Sequence, residues 1–485
     1  MKRDRLLRRL DRADLALYQR AAAHESPMLD AVLPRLTRSG DHGLLWLGTA
    51  AVLALTGQRR AAVRGVASLA VASTVANLPA KYATRRARPQ LTSVPLGRQL
   101  VRQPTTTSFP SGHSASAAAF AAGVALEAPL LGAPVAVLAA GVAYGRVHTG
   151  VHYPGDVLAG LALGTASALA VRKVWPVRPD RPAFARPARG SAPALPEGAG
   201  LVLVINTSAG SGDQADDVQA QLGRDLPAAK VVLCGPDDDV ADCLAEAARG
   251  ATVLGVMGGD GTVNCAAGIA LDAGLPLAVF PGGTLNHFAG ELGICSVDDV
   301  VNAVKAGSAV EVALGSAAPD GDDLYFLNTF ALGVYPELVR LREKHEKRYG
   351  KWPAMAWAMA KVMRRAEPVF VEVDGEPRKL WTLFAGNGHY HPAGFAPSWR
   401  ERLDDGCIDV RLIAAEQPGS RIRLVAAVLT GRLGRSRVYE QRLVGSLPLR
   451  TRQGGLRLAR DGEVGEGPGH LTLRSATRRL VVYLT

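Results

Sequence analysis

The chain has 485 residues, of which 48% are hydrophobic and 21% are charged, and its length predicts two or three domains rather than one. Its formal net charge is +12, but the Arg and Lys residues are spread without an aromatic-interleaved basic motif, which disfavours nucleic acid as a partner. The five cysteines all lie in the second half without CxxC spacing, which argues against a disulfide framework or a zinc site and suits a reducing compartment.

The first half is dominated by apolar runs. Residues 1–42 have a basic start without the apolar core of a signal peptide, and they predict an amphipathic segment at a membrane interface. Five apolar runs follow, at 43–57, 61–79, 114–132, 133–145 and 157–171. Each is short beside the roughly 20 residues of a spanning helix. Five in succession, rich in small residues and almost without charges, nevertheless predict an all-α transmembrane helix bundle over 43–175.

The polar residues of this half collect at the ends of the apolar runs. Lys81 follows the second run, His113 opens the third, Arg146 closes the fourth, and His152 and Asp156 precede the fifth. If each run crosses the membrane, the end of one run and the start of the next face the same side, and so do the end of the second run and the end of the fourth. The sequence therefore predicts that these residues meet in one site.

Two chemistries fit the stretch GRVHTGVHYPGD at 145–156. His148, His152 and Asp156 recur at a spacing of four residues, which could hold a metal ion. Alternatively, one histidine could be a nucleophile that Asp156 orients.

Nearby cations favour an anion over a metal ion. Lys81, Arg88 and Arg146 suit the oxygens of a phosphate and would repel a bare cation. A helix that begins near Ser111 would add backbone N–H groups. Arg85 and Arg86 are predicted to be ordinary interface residues.

Three motifs in order, Lys81-x6-Arg88-Pro89, Pro110-Ser-Gly-His113 and Arg146-x5-His152-x3-Asp156, resemble the signature of the type-2 phosphatidic acid phosphatase family over roughly 40–172. The resemblance implies that His152 attacks phosphorus and forms a phosphohistidine, while Asp156 holds its other ring nitrogen. It implies that His113 protonates the leaving oxygen and that no metal takes part. The implied phosphate-binding groups are Lys81, Arg88, Arg146 and the amides near Ser111 and Gly112.

Two residues stand apart from that signature. Gly145 occupies the position where the family usually has Ser, which predicts a weakened contact but a retained reaction. His148 has no role in the signature and is predicted to be structural.

The second half alternates strands and helices. Residues 176–199, rich in Pro, Ala and Arg, predict an extended linker. Buried strands are predicted at 201–206, 230–234, 252–257 and 276–280, which form a βαβ series and a parallel sheet. From about 316 the chain becomes β-rich, with hairpin signals at VDGE (373–376) and LDDG (403–406).

Glycine-rich turns follow three of the strands, as NTSAGSG (206–212), MGGDGTVN (257–264) and PGGTLNHFA (281–289). Glycines let backbone N–H groups approach phosphates at helix starts, so three such turns at one sheet edge predict a nucleotide site. The lack of GK[ST] excludes a Walker loop.

This pattern, with its GGDGT, LDDGCIDV and DGE (461–463) motifs, resembles the diacylglycerol kinase catalytic family over about 200–485. The resemblance implies a two-lobe lipid-kinase fold, with a nucleotide-binding α/β lobe at 200–315 and a β-rich lobe at 316–485. It implies ATP-dependent phosphorylation of a lipid hydroxyl, with Glu463 as the base and with Asp260 and Asp405 in a magnesium–water network. The implied nucleotide-binding residues are Asn206, Ser208, Gly210, Gly258, Gly259, Asp260, Gly261, Thr262, Gly283, Thr284 and Asn286.

Departures from that family leave alternatives open. His287 stands where the family has an acidic residue, and Asn206 is followed by Thr207 rather than Pro, so a lobe that only binds nucleotide and regulates is an alternative. The second DGE, at 374–376, is predicted to be a plain turn. Residues 347–365, with Trp and flanking cations, predict either a helix packed on the β-rich lobe or a lipid-docking helix.

Taken together, these patterns predict a bifunctional enzyme of membrane lipids, with ATP and magnesium as cofactors of the kinase domain and none for the phosphatase. The phosphatase site is predicted to face outward and the kinase domain to be cytoplasmic, which follows the positive-inside rule for the cations at 59–60 and 172–173. The same arrangement places the Arg-rich N-terminus outside, so either residues 12–38 add a crossing or the rule is overridden there. The predicted partners are membrane lipids, and the sequence does not identify a protein partner. The alternatives are a polyprenyl-diphosphate phosphatase with a nucleotide-sensing domain, and a degenerate scaffold, which the intact phosphatase motifs disfavour.

Overall fold

A computed structural model describes the chain except for residues 1, 81–83, 85, 102, 105, 179–180, 209–211, 283–285, 319–323, 350–356, 359–360, 363, 365, 395–398 and 431. The chain divides into two compact units, Met1–Arg178 and Pro179–Thr485. Each unit is described by itself.

The first unit consists of helices that match the predicted apolar runs. The helices are α1 (Lys2–Ala23), α2 (Pro27–Ser39), α3 (Leu44–Leu55), α4 (Arg59–Val75), α5 (Gly112–Glu127), α6 (Pro129–His148) and α7 (Pro154–Val174). Among the described residues, three helical segments are long and apolar enough to cross a membrane: Arg59–Leu78, Pro129–His148 and Pro154–Val174. With 12 and 16 residues, α3 and α5 are shorter than a full span, so the five predicted runs supply three candidate spans.

Small residues let these helices pack closely around α5, which contacts α4, α6 and α7. At Gly164 in α7, a β-carbon would collide with the carbonyl oxygen of Ala115 in α5. At Gly123 in α5, it would lie 2.9 Å from the Arg64 carbonyl oxygen in α4. Apolar side chains on the outside of the unit, such as Leu55 and Leu130, are exposed, as lipid-facing residues are.

The N-terminal helices belong to the packed unit. Tyr18 and Ala22 of α1 are buried in one cluster with Val147 and Val157. Thr37 of α2 is fully buried, and α2 packs on α6. The segment predicted as an interfacial amphipathic element therefore also covers the helix bundle.

One end of the bundle carries a cluster of cations. Arg64 of α4 is fully buried and lies 2.6 Å from Glu127 at the end of α5, and it also donates to the carbonyl of Pro176. The guanidinium groups of Arg60 and Arg64 lie over the ring of Trp175, just after α7. The start of α4 and the ends of α5 and α7 therefore share one end of the unit.

The second unit contains the predicted parallel sheet. Its seven strands are ordered β1-β6-β18-β5-β4-β2-β3. Their bounds are β1 (Arg186–Pro187), β2 (Leu201–Asn206), β3 (Lys230–Cys234), β4 (Val253–Gly258), β5 (Leu277–Pro281), β6 (Ala309–Val312) and β18 (Leu480–Tyr483). The four predicted strands β2 to β5 are present, but β3 is the outermost strand and is only partly buried, contrary to the prediction. Because β2, β4 and β5 are parallel neighbours, the three glycine-rich turns lie at one sheet edge.

The helices of this lobe connect its strands. They are α8 (Gly212–Asp225), α9 (Val240–Gly250), α10 (Asp260–Ala273), α11 (His287–Leu292) and α12 (Val297–Ala306). Glycines in the left-handed conformation follow several of them; Gly274 after α10 and Gly307 after α12 have φ of 69° and 66°. The strands β2, β4 and β5 are buried along almost their whole length, as strands covered on both faces are.

Two segments join this sheet from outside the predicted lobe. Arg186–Pro187 pair with β6, and Leu195 N–H bonds to the carbonyl of Val304, so much of the predicted linker packs on the second unit. The last strand, β18, lies between β5 and β6 although it follows the β-rich segment. The proline-rich composition of the linker did not reveal that β1 pairs with β6. Local sequence does not reveal where β18 pairs, because its partner strands are far away in the chain.

The β-rich lobe is a second, largely antiparallel sheet ordered β15-β14-β11-β10-β16-β17-β7-β8, with β9 beside β11 and β16. Its strands are β7 (Gly315–Ala318), β8 (Leu324–Phe326), β9 (Thr329–Gly333), β10 (Val369–Val373), β11 (Glu376–Asn387), β14 (Ile408–Ala414), β15 (Tyr439–Val444), β16 (Ser446–Arg460) and β17 (Glu463–Ser475). A separate short ribbon is formed by β12 (Tyr390–His391) and β13 (Trp399–Arg400), and the helices of this lobe are α13 (Val334–Tyr349) and α14 (Ser420–Leu429).

One of the two predicted hairpins is present. The VDGE signal joins β10 and β11, with Val373 opposite Glu376. The LDDG prediction is wrong, since 403–406 connect β13 to β14, which do not pair with each other. Asp-Gly marks a turn in both cases, but a turn becomes a hairpin only when its flanking strands pair.

The segment 347–365 falls partly outside the described residues, including Trp352. Ala358 and Val362 pack with Leu338 and Leu341 of α13. Trp357 remains 44% exposed, with Lys361 over its ring. The described part fits the packed-helix interpretation, with one aromatic side chain left partly open to solvent.

We expect Gly164→Ala to lower the unfolding temperature of the purified protein in detergent, because the added methyl group forces α5 and α7 apart. Overpacking of this kind costs about 1–3 kcal/mol. Gly48→Ala in α3 is the matched control, since a β-carbon there meets nothing within 4 Å. Equal unfolding temperatures for the two variants would contradict the close α5–α7 contact.

Candidate active sites

The ends of the helices opposite the cation cluster surround a cavity of about 560 Å³. Five residues singled out in the sequence line it: Arg88, Gly112, His113, Arg146 and His152. They come from the loop before α5, from the start of α5, from the end of α6 and from the loop before α7. Lys81 lies outside the described residues.

His152 is almost fully buried, and its two ring nitrogens have different surroundings. Nδ1 lies 3.6 Å from Asp156 Oδ2 and 3.4 Å from Ser108 Oγ. Nε2 lies 3.3 Å from Arg88 Nη1. Burial lowers the pKa of His152 to about 4 although Asp156 acts in the opposite direction, so the ring is neutral at pH 7.

Asp156 lies beside that ring, in the first turn of α7. Its fully buried carboxylate accepts the backbone N–H of Tyr153 at 3.0 Å and the hydroxyl of Ser108. Arg86 Nη1 donates to its other oxygen at 2.7 Å. Arg86 is therefore more than the interface residue that was predicted, because its second Nη reaches Asp14 of α1 at 2.8 Å.

Arg88 and Arg146 present guanidinium groups to the cavity. Arg88 is fixed by the carbonyls of Thr106 and Val151, both at 2.7 Å. Arg146 is buried, and its Nε has no hydrogen-bond partner among the described residues. A buried cation with an unused donor at a cavity is suited to an anion.

The departure at Gly145 has a structural explanation. A β-carbon there would lie 3.3 Å from Thr37 Cβ and 3.4 Å from the Leu33 carbonyl oxygen, so a bulkier residue would push α2 away from α6. Thr37 Oγ1 contacts Arg146 Nη1 at 3.5 Å. A neighbouring helix thus supplies a hydroxyl beside the arginine.

The two remaining motif positions in α5 differ in what they offer. The Ser111 N–H already donates to the Asp156 carbonyl at 3.0 Å, so this amide is not available to a phosphate, contrary to the prediction. Ser111 Oγ caps α5 by accepting from Ser114 N–H. Gly112 does line the cavity.

Both remaining histidines contact aspartates of the N-terminal segment. His113 Nε2 lies 2.7 Å from Asp41 Oδ1 at the cavity, a contact that sequence reasoning missed. His148 is fully buried, and its Nε2 lies 2.8 Å from Asp30 Oδ1, while Arg98 Nε lies 2.8 Å from the same oxygen. His148 therefore takes part in the packing of α2 and α6, which suits a structural role.

In the second unit, hydrogen bonds join the three glycine-rich turns. In the first turn, Asn206 Nδ2 donates to Thr262 Oγ1 of the second turn at 2.9 Å. Within the first turn, the Ser208 N–H donates to Asn206 Oδ1. Asp260 of the second turn accepts the backbone N–H of His287 in the third at 2.8 Å. Gly210, Gly283 and Thr284 lie outside the described residues.

Glu463 reaches the same turns from the β-rich lobe. A β-carbon on Gly261 would collide with Glu463 Oε1, so the carboxylate lies directly against the GGDGT turn. Gly258 is similarly close to Thr262, whose side chain would lie 2.8 Å from a β-carbon there. The described positions of the predicted nucleotide site are thus assembled at one sheet edge; Gly259 caps α10, and Asn286 precedes α11 with φ of 45°.

Asp461, which sequence reasoning passed over, places Glu463. It occupies a left-handed position (φ 46°) in the turn between β16 and β17. Its carboxylate accepts the N–H groups of Leu327, Asn328 and Thr329 at 2.7–2.8 Å. In the sequence, only the Asp-Gly-Glu pattern indicates this turn. The three N–H groups that bind Asp461 cannot be recognised locally, because they are more than 130 residues away in the chain.

Asp260 and Asp405 are donors of the type that magnesium takes, carboxylate oxygens beside substrate phosphates. Each also accepts a backbone N–H, from His287 and from His389 respectively, which holds its position. No contact between the two carboxylates is found among the described residues. Each carboxylate is therefore a suitable magnesium ligand by itself, but the described structure does not bring the two into contact.

Two cysteines without CxxC spacing do meet in the fold. Donor atoms of Cys234, Asp238 and Cys243 lie within 4.8 Å of one another, at the end of β3 and the start of α9. Asp238 is exposed and accepts Gly235 N–H at 2.7 Å. Spacing along the chain could not reveal this group, because strand and helix bring its members together.

We expect Asp461→Asn to loosen the segment 327–329, because a charged acceptor of three N–H groups becomes a neutral one with a single oxygen. Loss of charge-assisted bonds costs about 1.5–3 kcal/mol. Amide hydrogen exchange of Leu327, Asn328 and Thr329 should become faster. Asp374→Asn, at the exposed turn of the other DGE (φ 55°), is the matched control and should leave exchange unchanged. Unchanged exchange in both variants would contradict the assigned role of Asp461.

Comparisons with known proteins match both units. A family model described as the PAP2 superfamily matches residues 61–180, and one described as the diacylglycerol kinase catalytic domain matches residues 200–317. Decaprenylphosphoryl-5-phosphoribose phosphatase of Mycobacterium tuberculosis is 37% identical over 148 residues, which are 30% of this chain and 79% of that protein. Undecaprenyl-diphosphatase of Sulfolobus acidocaldarius is 35% identical over 157 residues, 31% of this chain and 73% of that protein.

The second unit also has a counterpart among solved structures. The crystal structure of a diacylglycerol kinase from Bacillus anthracis covers 59% of this chain and 96% of its own, with 18% identity and a TM-score of 0.40. The chain belongs to the PAP2 superfamily through its helical unit, and it joins to that unit a diacylglycerol kinase catalytic domain.

Proposed function

We propose that the helical unit hydrolyses a lipid phosphate through a phosphohistidine on His152. The observation that supports this most directly is a neutral, buried histidine whose Nε2 faces Arg88 at 3.3 Å in a cavity shared with Arg146. Nε2 attacks phosphorus as the bond to the lipid oxygen breaks, and His113 gives that oxygen a proton. Water then attacks phosphorus and gives a proton to His113 as the bond between phosphorus and Nε2 breaks, which releases inorganic phosphate and restores both histidines to their starting forms.

The charges around the cavity suit that sequence of steps. Arg88 and Arg146 neutralise the phosphate oxygens, which gain charge in the transition state. Asp156 stabilises the positive charge that Nδ1 shares once Nε2 bonds to phosphorus. Because Asp156 is held by Ser108, Tyr153 and Arg86, it needs no rearrangement during the reaction.

The substrate we propose is a phosphate on a long-chain lipid. The matched relatives carry polyprenyl compounds in their names, and Leu69 and Leu100 give the polar cavity an apolar side. A polyprenyl phosphate or diphosphate and a diacylglycerol-based phosphate share the chemistry that the cavity can recognise, a phosphoester beside an apolar chain.

We expect phosphate release from detergent-solubilised phosphatidic acid or decaprenyl phosphate to persist in EDTA and to fall at least roughly 10³-fold in His152→Ala. His152 attacks only when neutral, so the rate should fall as the pH drops below its pKa of about 4 rather than near 6.5. The exposed His24 provides the control variant His24→Ala, with unchanged activity expected. Full activity in His152→Ala, or loss of activity in EDTA, would exclude the proposed mechanism.

For the second unit we propose ATP-dependent phosphorylation of a lipid hydroxyl. Glu463 lies against the GGDGT turn, where it can take the proton of an acceptor hydroxyl close to the nucleotide phosphates. The turns supply backbone N–H groups and helix starts for those phosphates. Magnesium, held by Asp260 and Asp405 when bound, would neutralise charge on the phosphates.

The departure at His287 bears on whether this site is competent. Its backbone N–H donates to Asp260, so the link between the second and third turns does not depend on the side chain. Asn206 likewise forms its bond to Thr262 although Thr207 replaces the usual Pro. These contacts support an assembled nucleotide site, which an active kinase and a nucleotide-sensing lobe would both need.

We also propose that the two reactions take place on opposite membrane faces. ATP requires the kinase on the cytoplasmic side. Asp156 begins α7, while Arg60, Arg64 and Trp175 gather at the far end of this candidate span, where basic residues prefer the cytoplasm. The phosphatase cavity would then face outward.

We expect inverted membrane vesicles that carry the His152→Ala protein to transfer label from γ-labelled ATP to a lipid, in a host without its own diacylglycerol kinase. The product persists because the phosphatase is disabled. Right-side-out vesicles should give no label, and Glu463→Gln should abolish it in inverted ones. Nucleotide binding without labelled lipid would support the nucleotide-sensing alternative instead, and equal labelling in both orientations would contradict the proposed sides.

A further inference from the structure

The turn between α2 and α3 contributes a carboxylate to the phosphatase cavity. Asp41 begins the short 3₁₀ turn Asp41–Gly43, and its Oδ1 lies 2.7 Å from His113 Nε2. Both residues line the cavity with His152. The phosphatase motifs do not contain Asp41, which precedes them all in the chain.

The backbone holds Asp41 in place. His42 and Gly43 both adopt left-handed conformations, with φ of 54° and 78°. A histidine in this region is uncommon and costs roughly 1 kcal/mol, so surrounding contacts must favour the turn. Directly before it, α2 packs on α6 through Thr37, which contacts Arg146. Asp41 is thus tied to the same helix that supplies a phosphate-binding guanidinium.

We propose that Asp41 is a positioning residue for His113, an inference that rests on the proposed phosphatase reaction. An imidazolium has two N–H groups. When one is donated to Asp41, the ring is fixed in orientation and its charged form is favoured, while the other proton serves the leaving oxygen. As the lipid–oxygen bond to phosphorus breaks, that proton moves to the oxygen, and a neutral His113 remains bonded to Asp41.

A carboxylate is needed here because the two guanidinium groups at the cavity, Arg88 from the loop before α5 and Arg146 from α6, oppose a protonated His113. The other histidines that line the cavity are His152, which is neutral at pH 7, and His42. Among the described residues that line the cavity, Asp41 is the carboxylate that offsets the two guanidinium charges. It would also discourage a free phosphate dianion from occupying the leaving-group side.

The test compares two phosphate esters that differ in their need for an acid. Dodecyl phosphate releases an alkoxide, which must be protonated, whereas 4-nitrophenyl phosphate releases a phenolate that is stable without a proton. For Asp41→Asn we expect the rate on dodecyl phosphate to fall about 10- to 100-fold and the rate on 4-nitrophenyl phosphate to change less than about threefold. The alkaline limb of the dodecyl phosphate profile should move to lower pH by about one unit.

Asp30→Asn is the matched control, because it removes another α2 carboxylate that contacts a histidine, His148, inside the helix packing. It should lower stability but leave the ratio of the two rates and the pH profile unchanged. The proposal is overturned if Asp41→Asn slows both esters equally, or leaves dodecyl phosphate hydrolysis unchanged or faster. A wild-type protein that hydrolyses neither ester would instead contradict the phosphatase function itself.

Discussion

A carboxylate buried at the start of an apolar helix must find hydrogen-bond donors, and Asp156 finds them in the connection between α4 and α5 and at the start of α7. Arg86 comes from the loop after α4, Ser108 from the loop before α5, and the Tyr153 amide from the start of α7. The backbone of Asp156 also accepts Ser111 N–H. Removal of this carboxylate would leave Arg86, Ser108 and the Tyr153 amide without their common partner, so the geometry around His152 depends on it.

The two units offer phosphate different kinds of partner. In the helical unit, guanidinium groups are fixed by carbonyl oxygens and by burial, which suits the proposed reaction, in which phosphate passes through a histidine and is released to water. In the second unit, glycine-rich turns offer backbone N–H groups and the positive ends of helices, with acidic side chains nearby for a divalent cation. Fixed cations suit the metal-independent reaction that we propose for the helical unit, whereas Asp260 and Glu463 add negative charge beside the turns, which bound magnesium would offset.

Local patterns predicted the strands β2, β3, β4 and β5 and the apolar helices, because hydrophobic runs and their periodicity can be recognised in consecutive residues. They also predicted that His113, Arg146 and His152 share one end of the bundle. Contacts remote in the chain were missed. Asp41 reaches His113 across 72 residues, and β18 joins a sheet whose other strands lie at least 160 residues earlier. Arg86 looked like any cation at a helix end, since nothing local distinguishes a surface arginine from one bonded to a buried carboxylate.

The length of α7 determines what the fusion can do. Its 21 residues extend about 32 Å, close to the roughly 30 Å hydrocarbon thickness of a membrane. Asp156 lies in the first turn of α7. Trp175 directly follows the last turn of α7, and the guanidinium groups of Arg60 and Arg64 lie over its ring. If α7 crosses the bilayer and the two reactions take place on opposite faces, as we propose, the phosphatase and the kinase act on lipids of different leaflets. The two proposed activities then do not cancel each other directly, because a lipid must cross the membrane before the second site can act on the product of the first.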